Sequence, residues 1–141
     1  MKHRLLIIDD EPMQVDNFKR FIQPIRPGLS VDSASTKDEI QIKISSTYFD
    51  VAIVDLRMAS IELSGFDVIR DIIDINPLAK VIVVSAFLAE FTSEINSIIK
   101  TGRIAAFIDK TKFDAFSKLL LQEVDKIIED HEKDQSLIQR T

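Results

Sequence analysis

Residues 4–12 of the chain, RLLIIDDEP, pass from an apolar run directly into three consecutive acids, Asp9, Asp10 and Glu11. The apolar run has the composition of a strand that is buried on both faces, and Pro12 suits the first turn of a helix. Carboxylates crowded at the edge of a core repel one another, so this strand end should hold a positive partner. The stretch therefore predicts a buried strand, a helix and, between them, a charged site.

The same alternation of apolar strand and amphipathic helix continues along the chain. Apolar strands that alternate with helices are typical of a parallel sheet covered on both faces. We therefore predict an α/β fold, (βα)5: a doubly wound, parallel five-stranded sheet in the flavodoxin-like order 2-1-3-4-5, with helices on both faces. The predicted strands are RLLIID (residues 4–9), LSVDSAS (29–35), VAIVDL (51–56), KVIVVSA (80–86) and IAAFID (104–109).

Helix boundaries are indicated by capping signals and by apolar spacing. Thr36 and Glu39 form a capping-box pattern, and Gly102 stands where a C-terminal cap belongs. Residues 57–64 are predicted to form a loop, and the last helix is expected to start near Phe113. Apolar residues expected to be buried include Val15, Phe18 and Ile25 in the first helix and Phe91, Ile95, Ile98 and Ile99 in the fourth.

Length and composition restrict the class of protein. The 141 residues fit one domain, assigned to residues 1–130, and residues 131–141 are predicted to be a charged tail or the start of a linker. A net charge of −5 argues against direct nucleic-acid binding, and no apolar run is long enough to cross a membrane. There is no cysteine, and His3 and His131 lie at opposite ends of the chain, which argues against a zinc enzyme. Without a signal-peptide pattern, a cytoplasmic protein is expected.

Polar side chains follow four of the predicted strands, at the edge where open parallel sheets bind ligands. They are Asp9 and Asp10 after the first strand, Asp55 after the third, Ser85 after the fourth and Lys110 after the fifth. Clustered carboxylates attract Mg²⁺, which also takes water and phosphate oxygens as ligands. A carboxylate can attack phosphorus, and Asp55, the single acid that faces the pair, is the expected nucleophile. Mg²⁺, Lys110 and the Ser85 hydroxyl would neutralise the phosphoryl oxygens.

Four motifs carry a resemblance to a known family. IIDDEP (residues 7–12), VAIVDLRM (51–58), VVSA (83–86) and FIDK (107–110), in this order, resemble the receiver domain of two-component response regulators. The resemblance covers roughly residues 3–130. It implies a signalling switch rather than a metabolic enzyme. The switch would take a phosphoryl group from a sensor histidine kinase or a histidine phosphotransfer protein, and would catalyse its own phosphorylation and dephosphorylation.

The resemblance implies a role for each matching residue around the cation. Asp55 would accept the phosphoryl group. The cation, Mg²⁺ or alternatively Mn²⁺, would be bound by Asp55, by Asp10 directly, by Asp9 mainly through water and by the backbone carbonyl of Arg57.

The resemblance also implies a phosphoryl pocket and a switch. Ser85, Lys110 and the backbone N–H of Ala86 would bind phosphoryl oxygens. Ser85 and Phe107 would rearrange on phosphorylation and remodel the surface of the fourth helix, fifth strand and fifth helix. A downstream protein, an effector domain or a second copy of the chain would dock there.

The sequence departs from the family pattern in the loops beside the site. Ala59 replaces a usual proline, and Gly65 comes about two residues late, which predicts a longer loop after the phosphoacceptor. Thr111 follows Lys110 where the family usually has a cis-proline. Asp109 precedes Lys110 and could compete for its ammonium.

Arg57 and Phe87 flank the expected phosphoryl site, so we expect them to tune the access of water. Three other functions are weaker candidates. An aspartyl-nucleophile phosphohydrolase would need an acid two residues after its nucleophile, where this chain has Arg57. A flavin carrier would need phosphate donors where DDEP (residues 9–12) would repel a phosphate. A degenerate receiver that serves as a constitutive protein-interaction module is disfavoured by the intact acid cluster.

Overall fold

Five parallel strands form the central sheet in the spatial order 2-1-3-4-5, numbered along the chain, which confirms the predicted topology. The computed structural model describes the backbone of residues 3–111 and 113–140 and the side chains of residues 3–111 and 116–134. The strands are β1 (Arg4–Ile8), β2 (Ser30–Ala34), β3 (Val51–Asp55), β4 (Lys80–Ser85) and β5 (Ile104–Asp109).

Helices cover both faces of this sheet. They are α1 (Pro12–Ile25), α2 (Lys37–Ser46), α3 (Gly65–Ile75), α4 (Thr92–Ile99) and α5 (Phe113–Arg140). Alternate strand residues point to opposite faces, so Leu6 and Ile8 pack with α2, α3 and α4, whereas Leu5 and Ile7 pack with α1 and α5. The apolar strands predicted from the sequence are therefore buried from both sides.

The capping box of α2 is confirmed, but two residues predicted to be buried are exposed. The Thr36 hydroxyl accepts a hydrogen bond from the Glu39 N–H at 3.2 Å. Ile25 and Ile99 are 42% and 50% exposed. Each is the last residue of its helix. Apolar spacing indicates which face of a helix a residue lies on, but not whether the packed layer extends to the end of that helix.

The segment predicted to be a loop after β3 is partly ordered into secondary structure. Arg57–Met58 pairs with Leu63–Ser64 as a short antiparallel ribbon, and a 3₁₀ turn (Ala59–Ile61) connects the two strands. Met58 is buried in the core and anchors the ribbon. A second 3₁₀ turn, Leu88–Phe91, precedes α4, which begins at Thr92.

Helix α5 continues to Arg140 and reaches the amino edge of the sheet, opposite the strand ends that carry the acids. There His131 Nδ1 lies 3.3 Å from an Asp50 oxygen, and His3 lies 3.5 Å from the other oxygen of Asp50. The two histidines are therefore neighbours, although the sequence separates them, because α5 returns along the whole sheet. Glu132 contacts His3 at 3.2 Å.

The domain boundary expected near residue 130 stays a prediction. Within the described residues, no helix is long and apolar enough to span a bilayer.

Candidate functional site

The carboxyl edge of the sheet brings together the acids and the lysine predicted from the strand ends. Oxygens of Asp9, Asp10 and Asp55 all lie within 4.8 Å of one another. The ammonium of Lys110 donates to Asp9 Oδ2 at 2.7 Å and to Asp55 Oδ2 at 2.9 Å. Asp9 and Asp55 are both 5% exposed. The positive partner that the first strand end required is therefore Lys110, which directly follows the last strand.

Backbone and side-chain donors hold each carboxylate in place. Asp9 Oδ1 accepts from the Glu11 N–H at 3.0 Å, and Asp55 Oδ1 accepts from the Arg57 N–H at 3.3 Å. Asp10 Oδ2 accepts two hydrogen bonds from Ser60, from its N–H at 3.1 Å and from its hydroxyl at 2.6 Å. The Ser60 contact comes from the 3₁₀ turn of the ribbon. The sequence indicated a longer loop here, but no pattern in it singled out Ser60.

Burial and neighbouring charges shift the pKa values of the central pair. Burial raises the pKa of Asp55 to about 6, the nearby charge of Asp9 adds to that rise, and the charge and hydrogen bond of Lys110 oppose it. Burial by itself would lower the pKa of Lys110, but hydrogen bonds and charges from Asp9 and Asp55 outweigh it and raise that pKa. At neutral pH the lysine is thus a cation and Asp55 is mostly a carboxylate.

A close backbone approach explains why a glycine opens α3. A Cβ atom built on Gly65 would lie 2.3 Å from the carbonyl oxygen of Asp55 and 2.6 Å from Cα of Leu56. The Gly65 N–H also donates to the Leu56 carbonyl at 3.1 Å. The late glycine noted in the sequence therefore closes the longer loop directly behind Asp55, where no larger residue fits.

The residues predicted to bind a phosphoryl group and to switch lie along β4 and β5. Ser85 is fully buried, and its hydroxyl accepts from the Phe87 N–H at 2.9 Å. The Lys110 N–H donates to the Ser85 carbonyl at 3.0 Å, which aligns the two strand ends. Ala86 is exposed next to Ser85. Phe107 is partly buried and lines a cavity of about 350 Å³ between β5 and α5.

Arg57 and Phe87 form a stacked cluster beside the site. The guanidinium of Arg57 lies over the ring of Phe87 at 4.3 Å and over the ring of Phe91 at 5.8 Å. Arg57 also forms an ion pair with Glu90. The sequence predicted Arg57 and Phe87 at this place but missed Glu90 and Phe91. The second 3₁₀ turn folds those two residues back, and helical spacing does not reveal such a turn.

The Lys110–Thr111 step takes ordinary geometry. No described peptide bond is cis, so this bond is trans. Asp109 Oδ1 accepts from both the N–H and the hydroxyl of Thr111, at 2.8 Å and 2.6 Å. The Lys110 ammonium meanwhile reaches Asp9 and Asp55. Replacing the usual proline has therefore not removed the lysine from the acid cluster.

The donor set fits a hard divalent cation. Three carboxylates lie around one point, two of them buried, and their charge exceeds what a single ammonium neutralises. Within the described residues, no other group of three histidine or carboxylate side chains comes as close together. The backbone carbonyl of Arg57 as a further ligand stays a prediction.

Comparisons with known proteins identify a family and several similar structures. Residues 5–112 match the family described as response regulator receiver domain. The chain resembles the structure of a CheY-like receiver domain protein from Methanospirillum hungatei, with 23% identity, a TM-score of 0.76 and coverage of 95% of this chain and 99% of that one. The response regulator TrrA from Thermotoga maritima, solved with Mg²⁺-BeF, is 28% identical, with a TM-score of 0.68 and coverage of 90% and 99%.

A third similar structure is a response regulator from Burkholderia pseudomallei with a phosphorylated aspartic acid, a calcium ion and citrate. It is 23% identical, with a TM-score of 0.63 and coverage of 99% of this chain and 83% of that one. No curated protein matches the sequence.

The fold and the site together define a doubly wound α/β domain with three clustered carboxylates and one lysine at the carboxyl edge of its sheet. With the match over residues 5–112, the chain belongs to the response regulator receiver domain family of two-component signalling. Receiver domains are signalling switches rather than classical enzymes. They bind Mg²⁺ in an acidic pocket and act with histidine kinases and downstream effector domains.

Proposed function

We propose that this chain takes a phosphoryl group from a phosphohistidine donor onto Asp55, holds it and then releases it by hydrolysis. The observation that carries the proposal is the buried Asp55 carboxylate, which lies 2.9 Å from the Lys110 ammonium and within 4.8 Å of two further acids. A carboxylate so placed is a nucleophile, and the charges around it suit a phosphoryl group.

In the transfer step an Asp55 oxygen forms a bond to phosphorus as the phosphorus–nitrogen bond of the donor histidine breaks. The released imidazole takes a proton. Lys110 moves its ammonium from the carboxylate to a phosphoryl oxygen, while the Ser85 hydroxyl and the Ala86 N–H donate to the others. Asp10 and Asp55 directly, Asp9 through water and the Arg57 carbonyl would hold Mg²⁺, or Mn²⁺. That ion, when bound, supplies further positive charge to the phosphoryl oxygens.

In the hydrolytic step water attacks the phosphorus, the bond from phosphorus to the Asp55 oxygen breaks, and inorganic phosphate leaves. Arg57 and Phe87 stack at 4.3 Å beside the site, so they limit how a water molecule approaches. A dedicated phosphohydrolase would need a carboxylic acid two residues after its nucleophile; Arg57 stands there instead, so that function is not supported.

Phosphorylation would be read at the surface made by α4, β5 and α5. Formation of the acyl phosphate draws the Ser85 hydroxyl away from the Phe87 N–H. The space it leaves allows Phe107 to turn inward from the cavity that it lines with Leu88 and Leu119. A downstream protein, an effector domain or a second copy of the chain would dock on this surface.

Intact-mass measurement after incubation with acetyl phosphate and Mg²⁺ tests the proposal. One phosphoryl adduct is expected, dependent on Mg²⁺ and absent from Asp55→Asn. The matched control is Asp16→Asn, an exposed carboxylate on α1, which should keep the adduct. The absence of an adduct from wild-type protein with excess donor would refute the proposal and leave a degenerate receiver. An adduct on Asp55→Asn would refute Asp55 as the acceptor.

A further inference from the structure

The ribbon after β3 places one hydroxyl directly on the acid cluster. Ser60 donates twice to the same atom, Oδ2 of Asp10, from its N–H at 3.1 Å and its hydroxyl at 2.6 Å. The turn that carries Ser60 is held from both sides, because Met58 is buried in the core and Gly65 closes against Leu56. The position of Ser60 over Asp10 is therefore set by the fold and not by chance rotation of an exposed side chain.

The hydrogen bonds at the cluster are distributed unevenly over its six carboxylate oxygens. Both oxygens of Asp9 accept, from Glu11 and from Lys110, and both oxygens of Asp55 accept, from Arg57 and from Lys110. Asp10 differs, since both its donors meet on Oδ2. Within the described part of the chain, no residue donates to Oδ1 of Asp10.

We propose that Ser60 is a positioning residue of the cation site: it saturates Oδ2 of Asp10 so that this carboxylate offers one oxygen, Oδ1, to the ion. The proposal rests on the proposed function and deepens it. Hydrogen-bonded partners orient metal-ligating carboxylates, and their loss weakens metal binding. Mg²⁺ demands a strict octahedral arrangement, whereas Ca²⁺ accepts carboxylates through one or both oxygens. A carboxylate with only one available oxygen therefore favours Mg²⁺ over Ca²⁺.

Titration calorimetry with MgCl₂ and with CaCl₂ on the metal-free protein tests this. Ser60→Ala removes the hydroxyl donor, and we expect its affinity for Mg²⁺ to fall by about tenfold to a hundredfold, the range for loss of a hydrogen-bonded partner of a metal-ligating side chain. The affinity for Ca²⁺ should fall less, so the ratio of the Mg²⁺ affinity to the Ca²⁺ affinity should be smaller in Ser60→Ala than in the wild-type protein. Ser60→Thr keeps a hydroxyl and should restore the wild-type affinity. Because Ser60 is exposed, the thermal midpoint of Ser60→Ala in EDTA should equal that of wild type.

Ser64→Ala is the matched control from the same ribbon. The Ser64 hydroxyl caps α3 by accepting from the Phe66 N–H and does not contact the acids. The Ser64→Ala substitution should lower the thermal midpoint and leave the affinities for Mg²⁺ and Ca²⁺ unchanged. A Mg²⁺ affinity of Ser60→Ala equal to or above that of wild type would overturn the Ser60 proposal alone, and so would an equal loss in Ser64→Ala. Absence of Mg²⁺ binding by wild-type protein would instead refute the cation site itself.

Discussion

The ammonium of Lys110 lies 2.9 Å from Asp55 and 2.7 Å from Asp9, in a pocket where both carboxylates are 5% exposed. One ammonium at the end of the last strand thus pairs with acids at the ends of the first and third strands. Breaking such a contact by removing one partner is costly, because the remaining charges stay buried.

Lys110→Met is therefore expected to lower the free energy of unfolding by about 3 kcal/mol in EDTA at pH 8. Urea unfolding followed by circular dichroism measures the difference. Lys126→Met is the matched control. Its ammonium is on an exposed side chain and pairs with Glu123 at 3.4 Å, so a change within about 0.5 kcal/mol is expected. Equal stability of the two variants would show that the Lys110 contacts contribute nothing.

The stability of metal-free Asp55→Asn relative to that of the wild-type protein should rise with pH. The pKa of Asp55 is raised from 3.8 to about 6 in the folded protein, so the folded state holds its proton more tightly than the unfolded state. The stability that this proton provides is complete below about pH 4 and is lost as pH rises through about 6. The variant has no such group, so its advantage over wild type should grow across this window by about 3 kcal/mol. Denaturant unfolding in EDTA at several pH values measures it, and an advantage that does not change with pH would contradict the prediction.

Mg²⁺ should raise the thermal midpoint of the wild-type protein. At a concentration one hundred times its dissociation constant, a ligand that binds only the folded state adds about 2.7 kcal/mol. The stabilisation should disappear in Asp10→Asn, which loses the carboxylate predicted to ligate the ion directly. Differential scanning fluorimetry at constant ionic strength, with NaCl replacing MgCl₂, separates binding from screening. An equal rise in both proteins would argue that the ion binds elsewhere.

Gly65→Ala should disrupt the site, because the added Cβ would lie 2.3 Å from the Asp55 carbonyl oxygen. We expect a loss of about 1–3 kcal/mol in unfolding free energy and slower phosphorylation of Asp55. Gly28→Ala is its matched control, since a Cβ there meets nothing within 4 Å. That variant should be as stable as wild type or slightly more stable. Thermal melts measure the stability of both variants, and the intact-mass assay measures their phosphorylation rates. Phosphorylation of Gly65→Ala at the wild-type rate would contradict the inference that a Cβ at residue 65 disturbs the backbone of Asp55.

Phe87→Ser should speed loss of the phosphoryl group. The Phe87 ring stacks under Arg57 at 4.3 Å, and removing it frees the guanidinium and opens the path of water. An increase of about two- to fivefold is expected, the factor that corresponds to the free energy of one exposed cation–π contact. Decay of the adduct followed by mass spectrometry measures the rate. Leu78→Ser is the control, because it removes an exposed apolar side chain away from the acids. Its phosphoryl adduct should decay at the wild-type rate. An unchanged or slower decay of the adduct in Phe87→Ser would refute the proposal that Phe87 limits the access of water.

The main features of the fold and most of the acid cluster were predictable because they depend on local patterns. Apolar strands that end in polar residues must bring those residues to one edge of a parallel sheet, which placed Asp9, Asp55 and Lys110 together before any contact was known. The capping box at Thr36 is likewise a contact between residues three apart. Burial at Ile25 and Ile99 was predicted wrongly, because helical spacing does not say how far along a helix the packed layer reaches.

By itself, then, the sequence determined the alternation of strands and helices and the edge at which the acids collect. These follow from periodicity and chain order. Only the tertiary structure decided that Ser60 reaches Asp10, that Arg57 stacks on Phe87 and pairs with Glu90, and that His3 and His131 meet at Asp50. Such contacts join residues far apart in the chain through turns and a returning helix, and no local pattern encodes the path on which these segments pack.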